Sequence, residues 1–113
     1  MTVSLHSDIE HDLRKLKRFP AAQETLEAWV RLFCVKGLDG TTGIDQYPGF
    51  GQRKIYKARV VPLKENIGKL GGYRLIFEIT SEQDCIILVF SRHGIYKTEQ
   101  ELANLIRLRI VIK

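Results

Sequence analysis

Apolar positions change their spacing along this chain, from alternation to a helical period and back, and the changes mark its elements. Thr2 to His6 (TVSLH) alternates and opens with β-branched residues, which predicts a short first strand. Ser7 and Glu10 then make an S-x-x-E capping box that announces a helix. In it Ile9, Leu13 and Leu16 share a face, while Arg14, Lys15, Lys17 and Arg18 point to solvent. Phe19-Pro20 interrupts the run, and Pro20 suits the first turn of a second helix, predicted over Ala21 to Lys36. Leu26, Trp29, Val30 and Phe33 form its apolar stripe, and Gly37 is placed to end it. Trp29 lies within that stripe, so it reads as core rather than as a base-stacking platform.

Gly37 to Gly51 (GLDGTTGIDQYPGFG) breaks the periodicity. No Lys-Ser or Lys-Thr pair follows its glycines, so it reads as a surface loop with turns and not as a nucleotide-phosphate loop. Beyond it the spacing falls to two. Lys54 to Val61 puts Tyr56, Ala58 and Val60 on one face and Lys57 and Arg59 on the other, and Pro62 ends it. Gly72 to Thr80 puts Tyr73, Leu75, Phe77 and Ile79 on one face and Arg74, Ile76 and Glu78 on the other. Asp84 to Ser91 is apolar throughout, as a central strand covered on both sides would be, and Ser81 to Asp84 is short enough to close a hairpin. Thr98 and Glu101 form a second capping box, with Leu102, Leu105 and Ile106 on the helix it opens. The ending LRLRIVIK suits either a continuation of that helix or a short strand. The pattern predicts one α+β domain over residues 1–113. It has a small, mainly antiparallel sheet, an N-terminal αα-hairpin packed on it and a C-terminal helix.

Composition adds three points. A length of 113 residues supports one core and not two. The net charge of +5 favours a polyanionic or acidic partner, the plainer alternative being simple solubility. Cys34 and Cys85 lack the spacing of a metal knuckle or redox pair, so both are expected to be buried, reduced thiols. The N-terminal segment turns polar too soon for a signal peptide, and no apolar run is long enough to span a bilayer, so a cytoplasmic protein is expected.

Candidate chemistry is concentrated between Lys54 and Tyr96. Lys57 and Arg59 point the same way on one strand, Arg74 opens the next, and Arg92 closes the last. His93 and Tyr96 follow at the mouth of the last helix. Arginine offers phosphate a planar fork and keeps its charge at any ordinary pH. Several cations around one phosphate would stabilise a pentacoordinate transition state, and a tyrosine or histidine beside them could move the proton. The stretch contains no carboxylate pair, Ser-His-Asp set or Cys-rich metal site. The plainer alternative is a basic solvent face, with Arg74 paired to Glu78 or another carboxylate. His6 and His11 are expected to be structural or solvent-facing.

The run Lys57-Ala-Arg59, then Gly72-Tyr73-Arg74-Leu75-Ile76-Phe77, then an apolar strand ending Phe90-Ser91-Arg92, resembles the RelE/ParE toxin superfamily. It is most similar to RelE-type mRNA interferases of type II toxin–antitoxin pairs. The resemblance implies a RelE-like fold and metal-independent, cofactor-free cleavage of mRNA, often on the ribosome. The 2′-hydroxyl attacks the adjacent phosphate, leaving a 2′,3′-cyclic phosphate and a 5′-hydroxyl. By the same resemblance Lys57 and Arg59 bind phosphate, stabilise charge or act as the base. Arg74 contacts the scissile phosphate, and Arg92 is the basic residue ending the last strand. Tyr96 is the candidate general acid, with His93 the next choice; Lys54 and Lys97 extend the RNA-binding set. The implied partners are an antitoxin, mRNA and the ribosome, with no membrane. Two alternatives remain: a ParE-like toxin that poisons gyrase without nuclease activity, and a basic module that only binds protein or nucleic acid.

Overall fold

A computed structural model of the protein describes residues 1–66 and 71–111. Among them the chain forms β1 (Thr2–Leu5), α1 (Ile9–Lys15), α2 (Ala22–Gly40), β2 (Ile44–Gln46), β3 (Lys54–Val60), β4 (Tyr73–Ile79), β5 (Asp84–Arg92) and α3 (Glu99–Val111). The α+β class is as expected. The strands lie in the order β1-β5-β4-β3-β2. Neighbours from β2 through β5 are antiparallel, whereas β1 runs parallel to β5, so the sheet is mixed.

Both faces of the sheet are covered. On one, Ile9, Leu16, Leu26, Trp29 and Phe33 of the helical hairpin and its flanks pack on Ala58, Leu75, Phe77 and Phe90. Trp29 stacks on Phe33 at 4.7 Å between ring centroids, which makes it core as its spacing predicted. On the other face Leu102 and Ile106 of α3 cover Ile55, Ile76, Leu88 and Val89. The ending left open between helix and strand is helical through Val111; residues 112 and 113 lie outside the described residues. No helix among the described residues is long and apolar enough to cross a membrane.

Several local expectations need correction. The Ser7–Glu10 box does not form: α1 starts after Asp8 without a side-chain cap, and the Asp8 N–H donates to His6 Nδ1 (3.0 Å). The second helix begins at Ala22, two residues past Pro20, with Ala21 in the left-handed region (φ 57°). Gly37 does break α2, at φ 68°, but one more turn follows to Gly40, and Thr41 Oγ1 donates back to the Gly37 carbonyl (2.8 Å). The glycine-rich loop also contains a strand: β2 hydrogen-bonds to β3 with Asp45 opposite Lys57. Cys34 is exposed on the outer side of α2, since only one stripe of that helix can reach the sheet. Cys85 is buried, and burial pushes its thiol up to about 12.

One irregularity in β5 governs the site. Ile76 pairs with Val89 but the next residue, Phe77, pairs with Ile87, so Leu88 is an extra residue in the ladder. Leu88 and Val89 therefore both face α3, and every later side chain is switched to the opposite face. Past the end of β1, two β5 groups are held by side chains. Phe90 N–H donates to Asp12 Oδ2 (3.0 Å), and the Leu88 carbonyl accepts from Arg109 Nη1 (2.8 Å). Asp12 and Arg109 are themselves joined by bonds of 2.7 and 2.8 Å, tying α1 to α3 around the sheet edge. His6 completes this cluster, its Nε2 lying 3.1 Å from the Arg109 carbonyl.

Candidate functional site

Alternation along β3 and β4 brings three cations to the α3 face. Arg59 stands directly opposite Arg74 in the ladder, and Lys57, two residues earlier, is opposite Ile76. Two like charges directly opposite are unfavourable unless something neutral or negative intervenes. The chain supplies it from the loop after β5. Gly94 (φ 92°) turns the chain and Ile95 N–H closes the turn on the Arg92 carbonyl (3.0 Å), which folds His93 back over β4. Thr98 then caps α3 through the Glu101 N–H (3.1 Å), while the Glu101 carboxylate takes the Lys97 N–H (2.7 Å). The Thr98 half of this box forms as its sequence predicts, while the Glu101 half reaches one residue further back, to Lys97. The box fixes Glu99 as the first residue of α3, where a carboxylate is favoured by the helix dipole.

The outcome is a cleft of about 280 Å³ lined by Arg74, His93, Gly94, Tyr96, Lys97, Thr98 and Glu99. Arg74 lies at its centre. Nη1 donates to Glu99 Oε1 and Nη2 to His93 Nδ1, each at 3.2 Å. A guanidinium can only donate, so Nδ1 accepts and the proton of the neutral imidazole sits on Nε2. Tyr47, just after β2, donates its hydroxyl to the other Glu99 oxygen (3.0 Å). Burial, reinforced by that carboxylate, pushes the Tyr47 phenol up to about 12, so it stays a donor.

Sequence-predicted residues divide between this cleft and other places. Arg74, His93, Tyr96 and Lys97 meet in it, with Arg59 and Lys57 alongside on the sheet. Arg92 does not join them. The extra residue in β5 turns it to the helical-hairpin side, where it is buried between the rings of Phe19 (4.1 Å) and Tyr73 (4.9 Å). There it makes two 2.6 Å bonds to Glu65, which hold the Glu65 carboxyl below its usual range. Lys54 begins β3 with its side chain on the hairpin side, roughly 16 Å of strand from Arg59. Arg74 does pair with a carboxylate, but with Glu99; Glu78 is taken by Arg53 through two 2.8 Å bonds.

Tyr96 is half-buried, against the α3-side core, with Lys15 Nζ 5.8 Å from its ring centre. Its pKa is raised, first by burial and then by Asp12; Arg109 opposes this, and Glu101 adds a smaller upward effect. His93, exposed and bonded to Arg74, is better placed for proton transfer.

Glu99 and Tyr47 are the residues that spacing did not single out. Glu99 drew no reading from its spacing, and Tyr47 lay in the presumed loop. In three dimensions a carboxylate and an imidazole flank one arginine, each on its own terminal nitrogen. An anion on the remaining Arg74 donors would have a proton acceptor on one side and an imidazole on the other. Compared with protein-family models, with curated proteins and with solved structures, the chain matches none.

Proposed function

We propose that this chain is a metal-independent endoribonuclease of the RelE type, the toxin of a type II toxin–antitoxin pair. The observation that carries the reading is the Arg74 guanidinium held between Glu99 and His93, beside Arg59 and Lys57. A phosphodiester would take the Arg74 fork and draw on the adjacent cations. Occupying Nη2 releases His93 Nδ1, which then picks up a proton. The 2′-hydroxyl attacks phosphorus as Glu99 accepts its proton. The bond from phosphorus to the 5′-oxygen breaks as the His93 imidazolium protonates that oxygen. The products are a 2′,3′-cyclic phosphate and a 5′-hydroxyl. Tyr47 steadies Glu99, while Lys97 and Lys57 hold flanking phosphates. The proposed partners are mRNA, the ribosome and an antitoxin protein.

A second reading, a module that binds without cutting, is favoured by one observation: Arg92 is withdrawn from the cleft into an internal ion pair. Primer extension on a defined mRNA separates the two. The purified protein is tested on RNA alone in EDTA, and on ribosomes in magnesium. New 5′-hydroxyl ends that vanish with Arg74→Ala and His93→Ala support cleavage. Absence of new ends in both settings, from folded protein, sinks it.

A further inference from the structure

Strand β1 ends the sheet on the side away from the cleft, and among the described residues it pairs with β5 alone. The N–H groups of Thr2 and His6 donate to the Gln83 and Ile87 carbonyls (2.6 and 2.8 Å). Backbone groups alternate sides along a strand, so those of Val3 and Leu5 point away from β5, to the open edge. Such edges are usually blunted by a charged side chain, a proline or a bulge. Strand β1 reads Thr-Val-Ser-Leu in regular register and has none of these.

Beside this edge, on the helical-hairpin face, lies a groove of about 440 Å³ whose apolar lining is Val3, Leu5, Leu13, Leu26 and Val30. Leu5 is half exposed in it, so the apolar surface is only partly covered. An added strand turns alternate side chains to one face, and the groove therefore suits a strand with apolar residues two apart. Strand β1 is itself such a strand, with Val3 and Leu5 on this face and Thr2 and Ser4 on the other.

The edge is also complementary to itself. Antiparallel pairing about Ser4 sets Val3 opposite Leu5 of a second copy, and Leu5 opposite its Val3. Both are hydrogen-bonded pairs, so every outward N–H and C=O of the two residues finds a partner. Charge agrees. Helix α2 runs back along β1, since Met1 N donates to the Cys34 carbonyl (3.5 Å) while Leu5 shares the groove with Leu26 and Glu27. A two-fold axis at Ser4 then sets Glu27 of each copy towards Arg31 of the other. One acid and one base in the lining match a copy of the same surface better than a partner of a single charge sign.

We propose that β1 pairs antiparallel with β1 of a second copy of this chain, joining two five-stranded sheets into one of ten strands. Arg74 is on β4, with β5 between it and the paired edge, so both clefts stay open. A four-residue strand and two shallow grooves make a small interface, and the dimer is accordingly weak and concentration-dependent. The pairing stands without the ribonuclease reading.

Sedimentation equilibrium of the purified chain, without RNA, at concentrations from about 1 to 200 µM tests it. The average mass is expected to rise from the 13.0 kDa of one chain towards twice that value. Leu5→Pro removes an outward N–H and spares the bonds to β5, and Leu5→Lys puts a charge on the edge. Each is expected to raise the dimer dissociation constant at least about tenfold, with Leu5→Lys carrying the test should the proline variant not fold. Leu108→Lys, at an exposed leucine of α3, is expected to change nothing.

Cys34 is exposed and Cys85 buried, so a spin label reports from Cys34 alone. Pairing about Ser4 puts Met1 of each copy opposite Ser7 of the other, about 20 Å of strand apart. Labels on Cys34, beside Met1, should therefore show a separation of about 20–35 Å that disappears in Leu5→Lys. A native chain that stays monomeric at about 200 µM overturns the proposal. So does a dimer that survives both Leu5 variants, one lost equally in Leu108→Lys, or one without that separation. Failed cleavage with intact pairing sinks the ribonuclease and spares the interface, and cleavage by a strict monomer does the opposite.

Discussion

Replacing Asp12 or Arg109 tests how α3 is held across the sheet edge. Both side chains are almost fully buried, and Asp12 accepts from Arg109 and from Phe90 N–H. Asp12→Ala leaves the buried Arg109 guanidinium with only the exposed Asp8 carboxylate at 3.8 Å, and Phe90 N–H without its acceptor. Arg109→Met leaves a buried carboxylate and an unpaired Leu88 carbonyl. Removing one partner of a buried pair costs about 3–5 kcal/mol. A chain of this length has a total of roughly 6–17 kcal/mol to lose, from about 0.05–0.15 per residue. Either variant is therefore expected to lose a large share of the native stability.

Asp12→Leu with Arg109→Met behaves differently. No buried charge remains, and the residual cost is two backbone groups without partners, about 1–3 kcal/mol each, offset by added apolar burial. The double variant should thus be more stable than the sum of the single losses implies, by at least about 2 kcal/mol. Urea unfolding followed by Trp29 fluorescence measures all four corners of the cycle. Additivity within about 0.5 kcal/mol would refute the coupling. Single losses below about 1 kcal/mol would mean the pair behaves as if solvent-exposed, and the clasp would not be what holds α3.

Glu99→Gln keeps the shape but removes the proton acceptor. It is expected to lower the single-turnover cleavage rate by about 10²–10⁴ with RNA affinity unreduced, and an unchanged rate would leave Glu99 without a chemical role. Arg92→Ala is expected to shift unfolding to lower urea while the cleavage rate per folded molecule stays within about threefold. A larger rate loss in a stably folded variant would return Arg92 to the reaction. Tyr47 has a folded pKa of about 12 against 10.0 for the free side chain, so its contribution is complete below pH 10 and declines between about 10 and 12. Urea midpoints across that window should fall more steeply for the native protein than for Tyr47→Phe, and parallel slopes would refute the assignment.

Helical and strand periods were readable wherever one face of an element meets the core. Leu26, Trp29 and Phe33, or Tyr73, Leu75 and Phe77, repeat because burial selects apolar side chains at each return to the same face. Features set by a few local bonds were not readable. Helix α1 starts after Asp8 rather than after Ser7, and the Asp8 N–H goes to the His6 ring, which also bonds the Arg109 carbonyl more than a hundred residues away. Strand β2 is three residues long, flanked by glycine turns, and forms only because β3 offers it an edge. Gly37 marked the break in α2 correctly, yet the turn beyond it depends on the Thr41 hydroxyl.

The candidate site was half legible for the same reason. Arg59 and Arg74 share a face because strict alternation holds on β3 and β4, and alternation is what a sequence displays. On β5 alternation fails at Leu88, and nothing in Asp84 to Ser91 could reveal it, since that strand is apolar on both faces. Without the extra residue Arg92 would face α3 with Arg74. With it, Arg92 goes to Glu65, and the vacated flank of Arg74 is supplied from the next turn by His93 and from the start of α3 by Glu99. Past the end of β1 the β5 edge is closed by Asp12 and Arg109, and Arg109 lies on the helix whose first residue is Glu99. One added residue in a central strand thus decides which arginine stands in the cleft, while the short first strand leaves the edge at which the helix that delivers its carboxylate is anchored.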